Sequence, residues 1–244
     1  MAGRSSVKRA GLAHEDLILT GAGISAESGL GTFRGTNSDG GSLWARYDMG
    51  KVATPEGFAR DPDKVHTFYN AVGARPNQAH MALGQLVKAW PDDVTLVTQN
   101  IDDLHEKGGA NRVIHMHGRL SRALCAGCGA RWDAPPEMHT QDRCPDCDAR
   151  ATRPEVVWFG EIPYHMELIG AALAQAELFV AIGTSGRVYP AAGFVAEARA
   201  QGVRWLELNL TPSDTAGAFD AVRLGPATEV VPAWVAQVLE PGLG

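Results

Sequence analysis

Four cysteines carry the clearest chemical signal in this 244-residue chain: Cys125-x2-Cys128, fifteen intervening residues, then Cys144-x2-Cys147. Two such pairs at that separation supply four thiolates that close tetrahedrally around one zinc ion. With all four ligand positions filled by sulfur, none is left for water, so the metal is expected to be structural. Four free thiols are the alternative. A nucleic-acid-binding zinc ribbon is a further use of such a site. However, residues 119 to 153 mix arginines with nearly as many acids and hold one aromatic, Trp132, so stacking and phosphate binding are poorly supplied and no direct nucleic-acid partner is expected.

The other candidate groups sit where short apolar runs end. Gly21-Ala22-Gly23-Ile24-Ser25-Ala26 follows Leu17 to Thr20 and is similar to G-x-G-x-x-G/A, in which glycines let the backbone approach a pyrophosphate. A tight strand-to-helix corner explains the same glycines. The chain then enters a long polar stretch, Gly31 to Asp63, rather than a second strand ending in an acid, which disfavours hydride transfer. Thr98-Gln99-Asn100-Ile101-Asp102-Asp103 offers amides and carboxylates suited to ribose hydroxyls or a carboxamide, and Asn100 or Asp102 also suits a helix N-cap. In His115-Met116-His117-Gly118, alternation puts both histidines on one face, and either one suits a general base near neutral pH. Gly183-Thr184-Ser185-Gly186 and Asn209-Leu210-Thr211 end two more runs in small polar residues. Ser185 has no G-x-S-x-G setting and no cysteine remains outside the zinc cluster, so nucleophilic esterase or protease chemistry is disfavoured.

The elements that position these groups follow from periodicity. Five short strands are expected, at Leu17 to Thr20, Val94 to Thr98, Val113 to Met116, Leu178 to Ile182 and Arg204 to Leu208. Helices are expected around Ala79 to Trp90, Ala191 to Ala200 and Trp234 to Leu239. Strands alternating with helices give an α/β fold with a mostly parallel sheet, whose ligands sit at the carboxyl ends of the strands. Residues 35 to 77, with a helix near Pro62 to Ala71, and residues 121 to 153 interrupt this alternation and are expected to form a second lobe across a cleft. A formal charge of −6 argues against bulk electrostatic binding of nucleic acid or anionic membrane. No apolar run approaches the roughly 18 to 20 residues that span a bilayer, and no secretory leader is evident, so a cytoplasmic address is expected.

Taken together, Gly21 to Gly29, Thr32-Phe33-Arg34-Gly35, Thr98 to Asp102, His117-Gly118, the four cysteines, Val156-Val157-Trp158-Phe159-Gly160-Glu161, Gly183-Thr184-Ser185 and Asn209-Leu210 resemble, in order and over nearly the whole chain, the sirtuin family of NAD-dependent protein lysine deacylases. The resemblance implies a Rossmann-like large domain from residues 1–34, 78–120 and 154–244. It implies a small lobe made of the helical insertion 35–77 and the zinc module 121–153. By that likeness the NAD site comprises Gly21, Ala22, Gly23, Ser25, Ala26, Phe33, Arg34, Gly183, Thr184, Ser185, Asn209, Leu210 and Ala227. Gln99 and Asn100 would hold the ribose, and Ile101 with Asp102 the nicotinamide carboxamide. His117 would be the general base, with Asn100 and Asp102 assisting catalysis. Acylated-lysine proteins would be the partners, and lysine, nicotinamide and O-acyl-ADP-ribose the products. Transfer of ADP-ribose to protein and NAD sensing without turnover are the competing functions.

The wording of Ser25 to Ser28 and Thr32 to Arg34 is similar to the branch that accepts succinyl-type groups through a Tyr-x-x-Arg pair. Tyr69 matches the tyrosine, but Val72 stands three residues on, and Arg75 is the nearby cation that could substitute. Both desuccinylation through Arg75 and simple deacetylation are therefore carried forward. Val157, Phe159, Gly160 and Glu161, with Val188, would add substrate peptide as a strand through backbone hydrogen bonds.

Overall fold

Leu17 and Leu19 of β1 (Asp16–Thr20) face one side of a sheet and Ile18 the other, and all three are buried, so helices must cover both faces. The computed structural model describes residues 16–30, 47–186, 193–194 and 200–240. Around β1 stand β2 (Val94–Thr98), β3 (Ile114–His115), β7 (Leu178–Ile182), β8 (Arg204–Asn209) and β9 (Ala221–Leu224). They form a six-stranded sheet in the order β3-β2-β1-β7-β8-β9, with every pairing parallel. Ile18, Leu96, Val180, Leu206 and Leu208 pack under α4 (Gln78–Ala89) and α7 (Ala227–Leu239). Leu17, Leu19, Phe179 and Trp205 pack on the opposite face with Ile169 and Leu173 of α6 (Met166–Gln175), and a single turn, α5 (Leu104–Lys107), follows β2.

The strand β9 was not among the five expected, because all four of its residues are exposed and it carries no buried alternation. The expected strand Val113 to Met116 shrinks to two residues, since the chain turns at Met116 and His117. The segment after β1 is a 3-10 helix, Ala22–Ser28, closed by Gly29 in the left-handed region. Residues around the expected helix Ala191 to Ala200 lie largely outside the described ones.

The small lobe has two parts. The helices α1 (Met49–Val52), α2 (Pro55–Arg60) and α3 (Pro62–Asn70) form one part, with Thr54 and Asp61 capping the latter two. The other part is an antiparallel sheet of β4 (Gly118–Cys125), β5 (Arg131–Asp133) and β6 (Thr152–Val156). This sheet lay hidden in a stretch without apolar periodicity, and β4 and β6 run across the expected boundaries near residues 120 and 154. Val52, Val65, Phe68 and Tyr69 from the helices pack against Val156 and Trp158, tying the two parts together. Asn70 adds a reciprocal clamp, donating to the Met138 carbonyl at 2.9 Å and accepting the Met138 N–H at 3.1 Å.

Candidate active site

The carboxyl ends of β1, β2, β7 and β8 open into a cleft of about 830 Å3 that the small lobe closes on one side. Its glycines form the tight corner that the sequence offered as one reading of them. Gly21 N–H donates to the Ile182 carbonyl at 2.9 Å and Gly23 N–H to the Gly183 carbonyl at 2.8 Å, so the turn after β1 crosses the turn after β7 backbone to backbone. A Cβ on Gly23 would lie 2.6 Å from Gly183 Cα. The glycines therefore permit this crossing, and Gly21 and Gly23 still border the cleft together with Ala22, Ser25 and Ala26.

Ser25 is the centre of a buried network. Its hydroxyl donates to Asp102 Oδ2 at 3.1 Å and accepts from Asn100 Nδ2 at 3.1 Å. His80 Nε2 lies 3.3 Å from the same oxygen. His80 Nδ1 faces both the Asn77 N–H at 3.2 Å and the Asn77 Oδ1 at 3.0 Å; because the Ser25 proton is already given to Asp102, the arrangement that satisfies Ser25 has Nε2 carrying the proton toward it and Nδ1 accepting the Asn77 N–H. Burial holds His80 neutral, with its pKa lowered to about 4. Burial also pushes Asp102 above the usual carboxylate range, opposed by the Leu104 N–H and the Ser25 hydroxyl. His80 was absent from the sequence reading. Its signal was the capping box at the start of α4, where Asn77 and His80 cap each other across one turn.

The remaining strand ends are pinned in the same manner. Gln99 Nε2 donates to Thr184 Oγ1 at 3.1 Å, and Asn209 Nδ2 to the Thr184 carbonyl at 2.9 Å. Glu207, also unforeseen, is buried behind Asn209 and accepts from its amide at 3.1 Å. Gln99, Asn100, Ile101, Asp102, Gly183, Thr184, Ser185, Asn209 and Leu210 all line the cleft, as does Ala227 at the start of α7. Phe33, Arg34 and Val188 lie outside the described residues.

The two histidines of the 115–118 turn separate here, contrary to the expected shared face. His115 is buried, with Nε2 2.8 Å from Glu106 Oε1 and Nδ1 3.3 Å from the Asn100 carbonyl, so neither nitrogen is free toward the cleft. His117 lines the cleft. Its Nδ1 lies 2.9 Å from the Gln99 carbonyl, an acceptor only, so Nδ1 carries the proton and Nε2 keeps a lone pair. Burial lowers its pKa, opposed by that hydrogen bond. Gly118 makes the turn possible, having φ of +74° and a would-be Cβ only 2.0 Å from the Glu155 carbonyl oxygen.

Across the cleft, the 157–161 loop is fastened from below. Val157 N–H donates to the His117 carbonyl and Phe159 N–H to the Ala53 carbonyl. Glu161 accepts the Trp158 N–H at 2.8 Å and grips Arg153 with both oxygens, each at 2.8 Å. Its carboxylate thus holds the loop in shape. Val157, Phe159, Gly160 and Glu161 line the cleft, and Phe159 is half exposed. Tyr69 lines it too, buried and accepting a hydrogen bond from Trp158 Nε1 at 2.9 Å. Arg75 is exposed and is not among the lining residues, whereas Val72 is one of them.

The cysteines converge on the far side of the zinc module. All four sulfurs lie within 4.8 Å of one another, with Cys125 and Cys147 3.7 Å apart and Cys128 and Cys144 3.6 Å apart. Thiolates about 2.3 Å from a tetrahedral zinc are roughly 3.8 Å apart, so the cluster fits that ion. Each pair sits in the same turn, with Gly129 and Asp148, four residues after the first cysteine, both in the left-handed region.

Comparison with known proteins agrees with this geometry. Residues 21–190 match the model of the Sir2 family. The chain is 56% identical over 232 residues to an NAD-dependent protein deacylase of Caulobacter vibrioides, covering 91% of this chain and 95% of that protein. It is 48% identical over 231 residues to an NAD-dependent protein deacylase of Pasteurella multocida, covering 91% and 97%. Among solved structures, a Sir2 homologue in complex with NAD superimposes with a TM-score of 0.80 at 35% identity, over 91% of this chain and 89% of that one.

Proposed function

The chain belongs to the Sir2 family and is an NAD-dependent protein deacylase, and from that premise we propose that His117 is its general base and that the Ser25–Asn100–Asp102 network orients the cofactor. Acylated proteins are its substrates, and the four-cysteine group suits a structural zinc. The observation that carries the assignment of His117 is its hydrogen bond to the Gln99 carbonyl, which fixes the tautomer with Nε2 available to accept a proton.

The residues present fit NAD by their chemistry. Amides and hydroxyls from four strand ends meet along one edge, as an extended polar ligand requires. Ala22, Ser25, Ala26, Gly183 to Ser185, Asn209, Leu210 and Ala227 would border the dinucleotide, Gln99 and Asn100 the ribose, and Ile101 with Asp102 the carboxamide. When bound, NAD supplies an electrophilic ribose carbon with nicotinamide as its leaving group. Asn100 and Asp102 are held rigid through Ser25, which His80 orients from behind, so their polar groups would be aimed before any ligand arrives. His117 Nε2 would then take the proton of a ribose hydroxyl. The 157–161 loop would hold the substrate backbone, fastened to His117 through Val157 N–H so that base and peptide keep one spacing.

We assign residues 1–34, 78–120 and 154–244 to the NAD-holding domain, and 35–77 with 121–153 to the lobe that shapes the peptide side. No described helix is long and apolar enough to cross a membrane. A cytoplasmic address is our reading, supported by a thiolate site that needs reduced cysteines.

The test is mass spectrometry of an acetyl-lysine peptide with and without NAD, using the natural chain and His117→Ala. The natural chain should release free lysine peptide and O-acyl-ADP-ribose only with NAD. The variant should lose about 10²- to 10⁴-fold in rate while binding NAD near normally by calorimetry. Unaltered deacylation by His117→Ala would overturn its role. Nicotinamide release with an unchanged peptide and labelled protein would favour ADP-ribosyl transfer.

A further inference from the structure

The turn that leaves β2 has three successive carbonyls, and the segment from His115 to Leu120 holds each of them. His117 Nδ1 lies 2.9 Å from the Gln99 carbonyl and His115 Nδ1 3.3 Å from the Asn100 carbonyl. The Leu120 N–H donates to the Ile101 carbonyl at 2.9 Å. The first and third contacts need only the N–H of a neutral group. The second differs, because His115 meets another acceptor with its far nitrogen.

That acceptor is Glu106 of α5, whose Oε1 lies 2.8 Å from His115 Nε2. Burial works against the charge of Glu106, yet the hydrogen bond and charge of His115, with Arg119 4.0 Å away, hold it below the usual carboxylate range. As a carboxylate it accepts and does not donate, and the Asn100 carbonyl likewise only accepts. An imidazole with one N–H serves Glu106 or Asn100 and turns a lone pair on the other. Serving both takes two ring protons. The other titratable groups that act on His115 or are acted on by it are His105 of α5 and Asp102 of the turn, the latter raised by burial and drawn back in part by the His115 charge. Neither Glu106 nor His115 lines the cleft.

We propose that Glu106 and His115 form a positioning pair for the nicotinamide end of the cleft: the carboxylate keeps a second proton on the ring, and that proton braces the Asn100 carbonyl, so that the turn carrying Asn100 and Asp102 keeps its shape. The pair acts through those two residues and touches no substrate. This inference rests on the roles given to Asn100 and Asp102 above and adds a proton requirement to them. When the second proton leaves at high pH, the remaining one turns to Glu106 and the brace opens.

Nitrogen NMR of the zinc-loaded full chain, labelled with 15N in histidine and assigned with His115→Phe, reads the pair directly. Near neutral pH both His115 nitrogens should carry protons. In Glu106→Gln, whose amide can donate to Nε2, one proton on Nδ1 should serve Asn100. A neutral His115 ring in the natural chain, whichever nitrogen keeps the proton, would overturn the proposal. The consequence is read in kcat/KM for NAD, measured at saturating acetyl-lysine peptide from about pH 6 to about pH 9.5. In the natural chain it should fall about tenfold, with the midpoint at which His115 loses its second proton in the spectrum, and Glu106→Gln should lack that fall. His115→Phe should lower kcat/KM for NAD about tenfold throughout while KM for the peptide stays within about twofold, a split that general damage to the fold does not give. The same alkaline fall in Glu106→Gln, or His115→Phe activity within about twofold of the natural chain, would also overturn the proposal. Absence of turnover in the natural chain would strike the deacylase reading instead, and the spectrum would still decide the pair.

Discussion

Asp16 opens the central strand β1, is 2% exposed, and among the described residues neither of its carboxylate oxygens has a hydrogen-bond partner. Burial raises its pKa from 3.8 to about 7, against the opposing attraction of Arg204. The folded state therefore holds the proton more tightly than the unfolded chain. The sign follows: relative to a neutral side chain, the acid imposes no penalty below pH 4, and stability is lost as pH rises from there through 7. A shift of about three units corresponds to roughly 4 kcal/mol once the group is ionised, of which about 2 to 3 kcal/mol develops between pH 5 and pH 8. Asp16→Asn keeps the shape and removes the titration. Urea unfolding of both chains at pH 5 and pH 8 should show the variant gaining on the natural chain by about that amount at the higher pH, while other pH effects, including those on the zinc thiolates, cancel in the comparison. A stability difference that is the same at both pH values would refute the reasoning, since it would mean that Asp16 is ionised without cost in the folded state.

Burial holds His117 below the ordinary histidine value, so the acid limb of the kcat/KM profile should have its midpoint below pH 6.5. A midpoint above 7 would remove His117 from the role of base. Zinc removal by a chelator should disorder the β4–β5–β6 sheet and abolish deacylation, because β4 begins at the residue after His117. Stoichiometric zinc should restore both, and activity that persists in metal-free protein would contradict this coupling. Gly118→Ala should destabilise the chain by about 2 kcal/mol or more in urea unfolding, given φ of +74° and a Cβ 2.0 Å from the Glu155 oxygen. A change under about 0.5 kcal/mol would show that β4 and β6 yield easily at this point.

Elements with one-dimensional signals were legible in the sequence. The strands β1, β2, β7 and β8 are buried apolar runs, and the cysteines announce their site by spacing alone, since a thiolate cluster needs only four sulfurs brought within reach by two short turns. The polar residues at the strand ends were legible for a similar reason: a parallel sheet gathers its strand ends along one edge whatever the order of the strands. Other features depend on residues far apart in the chain. The strand β9 forms only because β8 offers it an edge, and β4 and β6 hold together by pairing rather than by apolar alternation. Gly23 and Gly183 are 160 positions apart, and only the crossing of two turns reveals that they need each other's missing side chains. His115 and His117 present the same chemistry in sequence. The distinction comes from Glu106, which takes up a nitrogen of one, and from the Gln99 carbonyl, which fixes the tautomer of the other. Likewise, Tyr69 and Arg75 looked like partners along the chain, yet the fold buries the first against Trp158 and leaves the second in solvent, because helix α3 ends between them. Residue type and spacing determined which groups were available to this protein. Tertiary packing decided which of them are desolvated, which are already paired, and which remain free to act.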